Sequence, residues 1–297
     1  MSITLNRIGF FIRHIARMRR TREALNQLLP PHQQLIGVWR SLHNYINVYA
    51  GRITCRTCLP LRWSQLMGHT TLCGECHRLS DETWKTDKGQ ALARFETLFA
   101  LMGAEEGGAL RPKGGVRGIA VILINTECYD LAVIGCAALI SFFSSWSLLI
   151  KNGYLVVPYL VSGSVDPNFY VQKALNEQGR AHGFDTIQHF EIISHGDEGN
   201  LLLSIHDWAI TALDQSGTIV LNACTAYISA QHFAQHNPDA HVFASQTFTV
   251  VSEPHIIMTP EGPRTRGVVH GTNFLTPLVW GERMQRFMRS SPDRAHR

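Results

Sequence analysis

The sequence predicts an α/β protein: a mostly parallel sheet flanked by helices, preceded by a smaller helical, zinc-binding N-terminal region. Three observations predict it. From residue 118 onward, short β-branched runs alternate with stretches of helical period, the pattern of βαβ crossovers with helices on both faces of the sheet. Between residues 51 and 79, two Cys-x-x-Cys pairs stand 14 residues apart, a zinc spacing. The charge also changes sign along the chain. Residues 1–117 carry 17 Lys/Arg against 8 Asp/Glu, residues 118–280 carry 5 against 13, and residues 281–297 carry 5 against 2. A swing from +9 to −8 marks two parts with different partners. The sequence therefore divides into a basic N-terminal region, 1–103, a linker, 104–117, an α/β domain, 118–280, and a basic tail, 281–297. Its 297 residues, 45% of them apolar, exclude a wholly disordered chain.

Residues 1–25 have the period of a basic amphipathic helix. Ile8, Phe11, Ile12, Ile15 and Met18 form its apolar stripe, with Arg7, Arg13, Arg17 and Arg20 mostly off it. Docking on its own domain with a solvated basic face is preferred to attachment to an anionic membrane or nucleic acid, because charge runs are usually solvated surface. Cys55, Cys58, Cys73 and Cys76 follow. Four thiolates close a tetrahedron and leave no position for substrate, so the expected zinc is structural. His69 and His77 nearby are read as ordinary surface histidines. Residues 80–103 continue as helix, with Ala91, Phe95, Leu98, Phe99 and Met102 on one face, and the stretch from Gly103 to Gly115, with five glycines and Pro112, leads into the linker.

Gly118–Asn125 is a nearly continuous β-branched run, as a strand buried on both faces requires. A helix is expected over about 130–150, ended by Asn152-Gly153. Strands follow at Tyr154–Val161, Thr186–Ser194, Thr218–Asn222 and Val242–Val250, with helices over 167–181, 205–214 and 226–235 between them. The uncharged run Leu131–Ile150 is long enough to span a bilayer, but its place in a strand–helix–strand pattern favours a helix covering the sheet. The opening residues hold no secretory signal, and a reducing cytosol is the expected compartment.

Two strand ends carry chemistry. The third closes in Ile193-Ser194-His195-Gly196 and the fourth in Asn222-Ala223-Cys224. If these strands are adjacent and parallel, His195 and Cys224 leave the same edge of the sheet side by side. A nearby imidazole lowers a thiol's pKa and supplies a proton to the leaving group. Backbone N–H groups of Gly196 and Cys224 suit a developing oxyanion.

An apolar strand closing in Ser-His-Gly, followed by one closing in Ala-Cys, resembles the caspase-like cysteine peptidases, a group that includes caspases, legumain, clostripain, gingipain and bacterial CHAT-type proteases. The resemblance covers about residues 116–275. It implies an endopeptidase with Cys224 as nucleophile, His195 as general base or acid, and Gly196 with Cys224 as oxyanion donors. It implies no cofactor for catalysis, and specificity set mainly by the residue before the scissile bond. It also implies that Ser245 and Gln246, near the middle of the fifth strand, wall the pocket for that residue. The sequence departs from the caspase signature: Thr225-Ala226 follow Cys224 where a glycine is usual, and His195 precedes the cysteine by only 29 residues against about 50 in caspases.

The acidic balance of 118–280 steers a cationic substrate residue toward the domain. Asp197 and Glu198 are placed to line that approach, or else are solvated loop acids. The segment Glu261–Gly267 looks like an exposed loop with two basic cleavage points, Arg264 and Arg266. The expected partners are a protein or peptide substrate, a regulatory protein, and nucleic acid or an anionic membrane through the basic N-terminal region. The competing reading is an inactive peptidase fold used as a zinc-dependent adaptor or nucleic-acid-binding protein.

Overall fold

A computed structural model describes residues 19–35, 89–101, 112, 115–126, 132–197, 200–201, 203–223, 226–244, 256–259, 262–265 and 285–287. Helices α1 (19–28) and α2 (89–101) come first. The α/β part then runs β1 (Gly118–Asn125), α3 (Ala132–Lys151), β2 (Tyr154–Val161), β3 (Ser164–Val165) and α4 (Pro167–Ala174), which continues through a π turn to His182. It goes on through β4 (Ile187–Ile193), β5 (Gly196–Asp197), β6 (Asn200–Leu201), β7 (Ser204–Ile205) and β8 (Leu213–Asn222). Helix α5 (Tyr227–His236), β9 (His241–Ala244), β10 (Ile256–Thr259), β11 (Gly262–Thr265) and β12 (Gln285–Phe287) complete it.

The main sheet has the order β12-β9-β8-β4-β1-β2. Its five strands from β9 to β2 are parallel, and β12, from within the basic tail, pairs antiparallel with β9 at the edge. Every residue of β1 is buried, as its unbroken apolar run requires for a central strand covered on both sides. Alternate side chains go to opposite faces. Ile119, Val121 and Leu123 join a core with α4 and α5, through Val171, Ala174, Ala230 and Phe233. Ala120, Ile122 and Ile124 join a core with α1, α2 and α3, through Leu25, Phe95 and Phe142.

That second core explains the uncharged twenty-residue run. Helix α3 is covered on one side by the sheet and on another by α2, where Phe142 meets Phe95 at 6.0 Å and Phe99 at 5.5 Å between ring centroids. A helix buried on two sides has little need of a polar stripe. No helix among the described residues is long and apolar enough to cross a membrane. The helix stops where expected, at Gly153, whose φ of 87° suits a residue without a Cβ. Residues 19–35 and 89–101 thus share one core with the sheet, and Arg94 Nε donates to Gln33 O at 2.9 Å to join them to each other.

The connection from β4 to β8 differs from expectation. No helix forms over 205–214; the chain makes the β5–β6 hairpin, pairs β7 with β3, and then runs irregularly to β8. Two asparagines from elsewhere hold it. Asn168 in α4 accepts from Thr211 N at 2.9 Å and donates to Ala209 O at 2.7 Å. Asn237, after α5, accepts from Ile210 N at 2.8 Å and donates to Trp208 O at 2.6 Å. Backbone groups satisfied in this way need no helical partners.

Strand β8 also begins earlier than its apolar run. Leu213 pairs with Ile187, but Thr218 already faces His189, so β8 bulges over 214–217. Asp214 Oδ1 caps the bulge by accepting from Ser216 N and Oγ, both at 3.1 Å. Gly262–Thr265, read as exposed loop, is instead strand β11, paired antiparallel with β10.

Candidate active site

The order of strands locates the site before any side chain is considered. From β1 the chain leaves by α3 on one face. From β4 it leaves by segments whose Leu201, Leu203 and Ile210 lie in the core of the other face. Connections that diverge from neighbouring parallel strands open a crevice at their carboxyl ends. Here the connections diverge between β1 and β4, beside β8. Asn125, Ser194 and Asn222 occupy the three strand ends.

Strands β4 and β8 are adjacent and parallel, with Ile193 opposite Asn222. Ser194 N donates to Asn222 O at 3.3 Å, so the pairing persists to the last residue before His195. His195 and Gly196 are half-buried at the exit of β4. Gly196 then pairs with Leu201, and Asp197 with Asn200, in the β5–β6 hairpin. Leu201 N donates to the buried Ser229 Oγ of α5 at 3.0 Å. The loop that follows His195 is thereby pinned to the helix that follows β8.

Two buried polar links brace the strand ends from below. Asn125 Nδ2 donates to Ser194 Oγ at 3.0 Å, joining β1 to β4. Glu191, fully buried near the end of β4, accepts from Ser145 Oγ of α3 at 2.9 Å and from Asn222 Nδ2 at 3.1 Å on the same oxygen, Oε1. Its Oε2 lies 3.4 Å from His189 Nε2. A carboxylate is removed from water only where donors replace its hydration, and Ser145 of α3 and Asn222 of β8 do so.

The structure thus describes His195 and Gly196, and the backbone of Asp197. Cys224, Glu198, Ser245 and Gln246 lie outside the described residues, as do the four zinc-site cysteines Cys55, Cys58, Cys73 and Cys76. No group of three or more His, Cys, Asp or Glu side chains able to hold a metal ion occurs among the described residues. Glu191, Asn222, Asn125 and Ser145 escaped the sequence reading. The signal was present for one of them: a carboxylate within the run His189–Ile193, in a strand expected to be buried, requires partners. No family model, curated protein or solved structure matches this chain.

Proposed function

We propose that the chain is a caspase-like cysteine endopeptidase in which Cys224 is the nucleophile and His195 its acid–base partner. One observation carries this reading. Ile193 and Asn222 are opposed in adjacent parallel strands, and His195 and Cys224 each follow their member of that pair by two residues. Two residues of chain span at most about 7 Å, which limits how far either residue can stand from the carboxyl end of its strand.

The chemistry follows from those two groups. The Cys224 thiolate attacks the scissile carbonyl carbon, and the bond to oxygen opens to an oxyanion received by backbone N–H groups of Gly196 and Cys224. His195, carrying the proton taken from the thiol, gives it to the leaving amine as the C–N bond breaks. It then takes a proton from water, which attacks the thioester and releases the acid. The acidic balance of residues 118–280 favours a basic residue before the scissile bond, with Asp197 and Glu198 beside the approach and Ser245 and Gln246 along its wall. Cys55, Cys58, Cys73 and Cys76 are assigned to a structural zinc in a module that recruits substrate or a regulatory partner.

The test is a diverse peptide library digested by the full chain and by Cys224→Ala, read by mass spectrometry. Cuts made only by the native chain, clustered after Arg or Lys, are the expected result. No cuts by either protein, together with a Cys224 thiol that alkylates slowly, would favour the adaptor or nucleic-acid-binding alternative.

A further inference from the structure

Sheet centres are filled with apolar side chains, and a carboxylate placed there needs a reason. Glu191 has no exposed surface. Replacing a buried ionic group together with its partners by well-packed apolar side chains is often neutral or stabilising, so stability alone is a poor reason to keep such a cluster. The partners of Glu191 indicate another. Through Oε1 it holds Asn222 Nδ2 at 3.1 Å and Ser145 Oγ at 2.9 Å. Asn222 is the last residue of β8, two before Cys224, and Glu191 itself lies four residues before His195. One carboxylate therefore joins the strand leading to the thiol, the strand leading to the imidazole, and the helix behind them. The opposite flank of the β4 exit is fixed separately, by the Asn125–Ser194 hydrogen bond of 3.0 Å.

We infer that Glu191 is a positioning residue: by holding the Asn222 side chain it sets how β8 ends, and so where the Cys224 thiol sits relative to the His195 imidazole. This rests on the Cys224/His195 reading above. The carboxylate touches no substrate. It acts because a thiol displaced from its imidazole loses the interaction that stabilises the thiolate.

The experiment is alkylation of the native full-length chain by iodoacetamide from about pH 5 to about pH 9, with Cys224 followed by peptide mass spectrometry. Glu191→Leu, Glu191→Gln and His195→Ala are run beside it, and folding is checked by circular dichroism. The native Cys224 is expected to react with a midpoint below the free-thiol value of about 8.5. Glu191→Leu keeps the fold, shifts the midpoint upward by about one unit, and slows the reaction at neutral pH about tenfold. Glu191→Gln retains an acceptor for Asn222 Nδ2 and restores the rate to within about threefold of native. That rescue separates the proposed role from a general loosening of the core.

A folded Glu191→Leu protein with the native rate and midpoint overturns the proposal and leaves the dyad standing. A native rate that His195→Ala does not change overturns the dyad, and the positioning role with it. If Glu191→Leu fails to fold, Asn222→Ala decides. It removes the same link from the other end, so the same loss and upward shift are expected, and native values overturn the inference.

Discussion

Asn222, the last residue of β8, donates its side-chain amide to Glu191 Oε1 at 3.1 Å, tying the strand that leads to Cys224 to the strand that leads to His195. Both residues are buried, and a buried donor left without an acceptor costs about 1–3 kcal/mol. Glu191→Ala strips acceptors from Asn222 and Ser145 and also leaves a cavity, so a loss of about 3–5 kcal/mol is expected. Glu191→Leu fills most of that space, and its loss should be smaller by about 1–3 kcal/mol. Urea unfolding of the two variants checks the order. Equal losses would mean that packing at this position contributes little.

The contact between α2 and α3 rests on aromatic rings. Phe142 is fully buried and meets both Phe95 and Phe99 of α2. Phe142→Ala is expected to cost about 3–5 kcal/mol. It should also raise amide hydrogen exchange in residues 89–101 more than in β1, because the sheet keeps its hydrogen bonds while α2 loses its anchor. Uniform acceleration across both segments would instead mean that α2 and the sheet unfold as one unit.

Much of this fold was legible in the sequence, and the failures have physical causes. The bounds of β1 and β2 match their apolar runs residue for residue, because a buried parallel strand has little alternative to such a run. Helix α4 starts at Pro167, where the expected helix over 167–181 begins. Asp166 accepts from Asn168 N at 2.9 Å, and proline suits the first helical position. The stretch 205–214 misled because some of its apolar residues, Ile205, Trp208, Ala209 and Ala212, have helical spacing. What holds it irregular is the side chains of Asn168 and Asn237, 43 and 27 residues away from the backbone N–H groups they accept from. At the candidate site, strand alternation implied that β4 and β8 are parallel, but their adjacency was only a condition of the sequence reading, and the strand order supplies it. The Glu191 link was not implied at all, because its partners come from α3 and β8, and only the folded sheet brings them together.

Zinc makes a prediction independent of the sheet. Four thiolates in two Cys-x-x-Cys pairs should bind about one zinc ion per chain. Metal analysis by plasma emission is expected to find it in the native chain and in Cys224→Ala, and to find a large loss in Cys58→Ser and Cys73→Ser. Because binding free energy of a structural site is also folding free energy, chelation should lower the melting temperature of the native chain and barely move that of Cys58→Ser. A metal-free native chain with ordinary stability would remove the zinc assignment while leaving the peptidase reading intact.

Tyr159, on the edge strand β2, predicts how stability changes in alkali. Its ring packs against Tyr170 at 5.2 Å, and its hydroxyl oxygen is buried without a hydrogen-bond partner among the described residues. Burial, and then the negative charge of Glu177, hold its pKa well above the ordinary tyrosine value. In the unfolded chain this phenol ionises near pH 10, whereas in the folded chain it keeps its proton to higher pH. Between those two points the unfolded state binds fewer protons, so unfolding free energy falls as pH rises. The contribution is complete below about pH 10 and is lost as pH climbs toward the folded-state value. Tyr154 is shifted in the same direction, by burial and then Asp214, against a weaker opposing effect of Arg117, so only part of the alkaline loss belongs to Tyr159. Tyr159→Phe should therefore reduce the fall in the urea midpoint above about pH 10 without abolishing it. At neutral pH the variant should be as stable as the native chain, or more stable by up to about 1 kcal/mol, since it removes a buried hydroxyl that has no partner among the described residues. An unchanged alkaline slope with a clear loss at neutral pH would instead mean that the hydroxyl is hydrogen-bonded in solution.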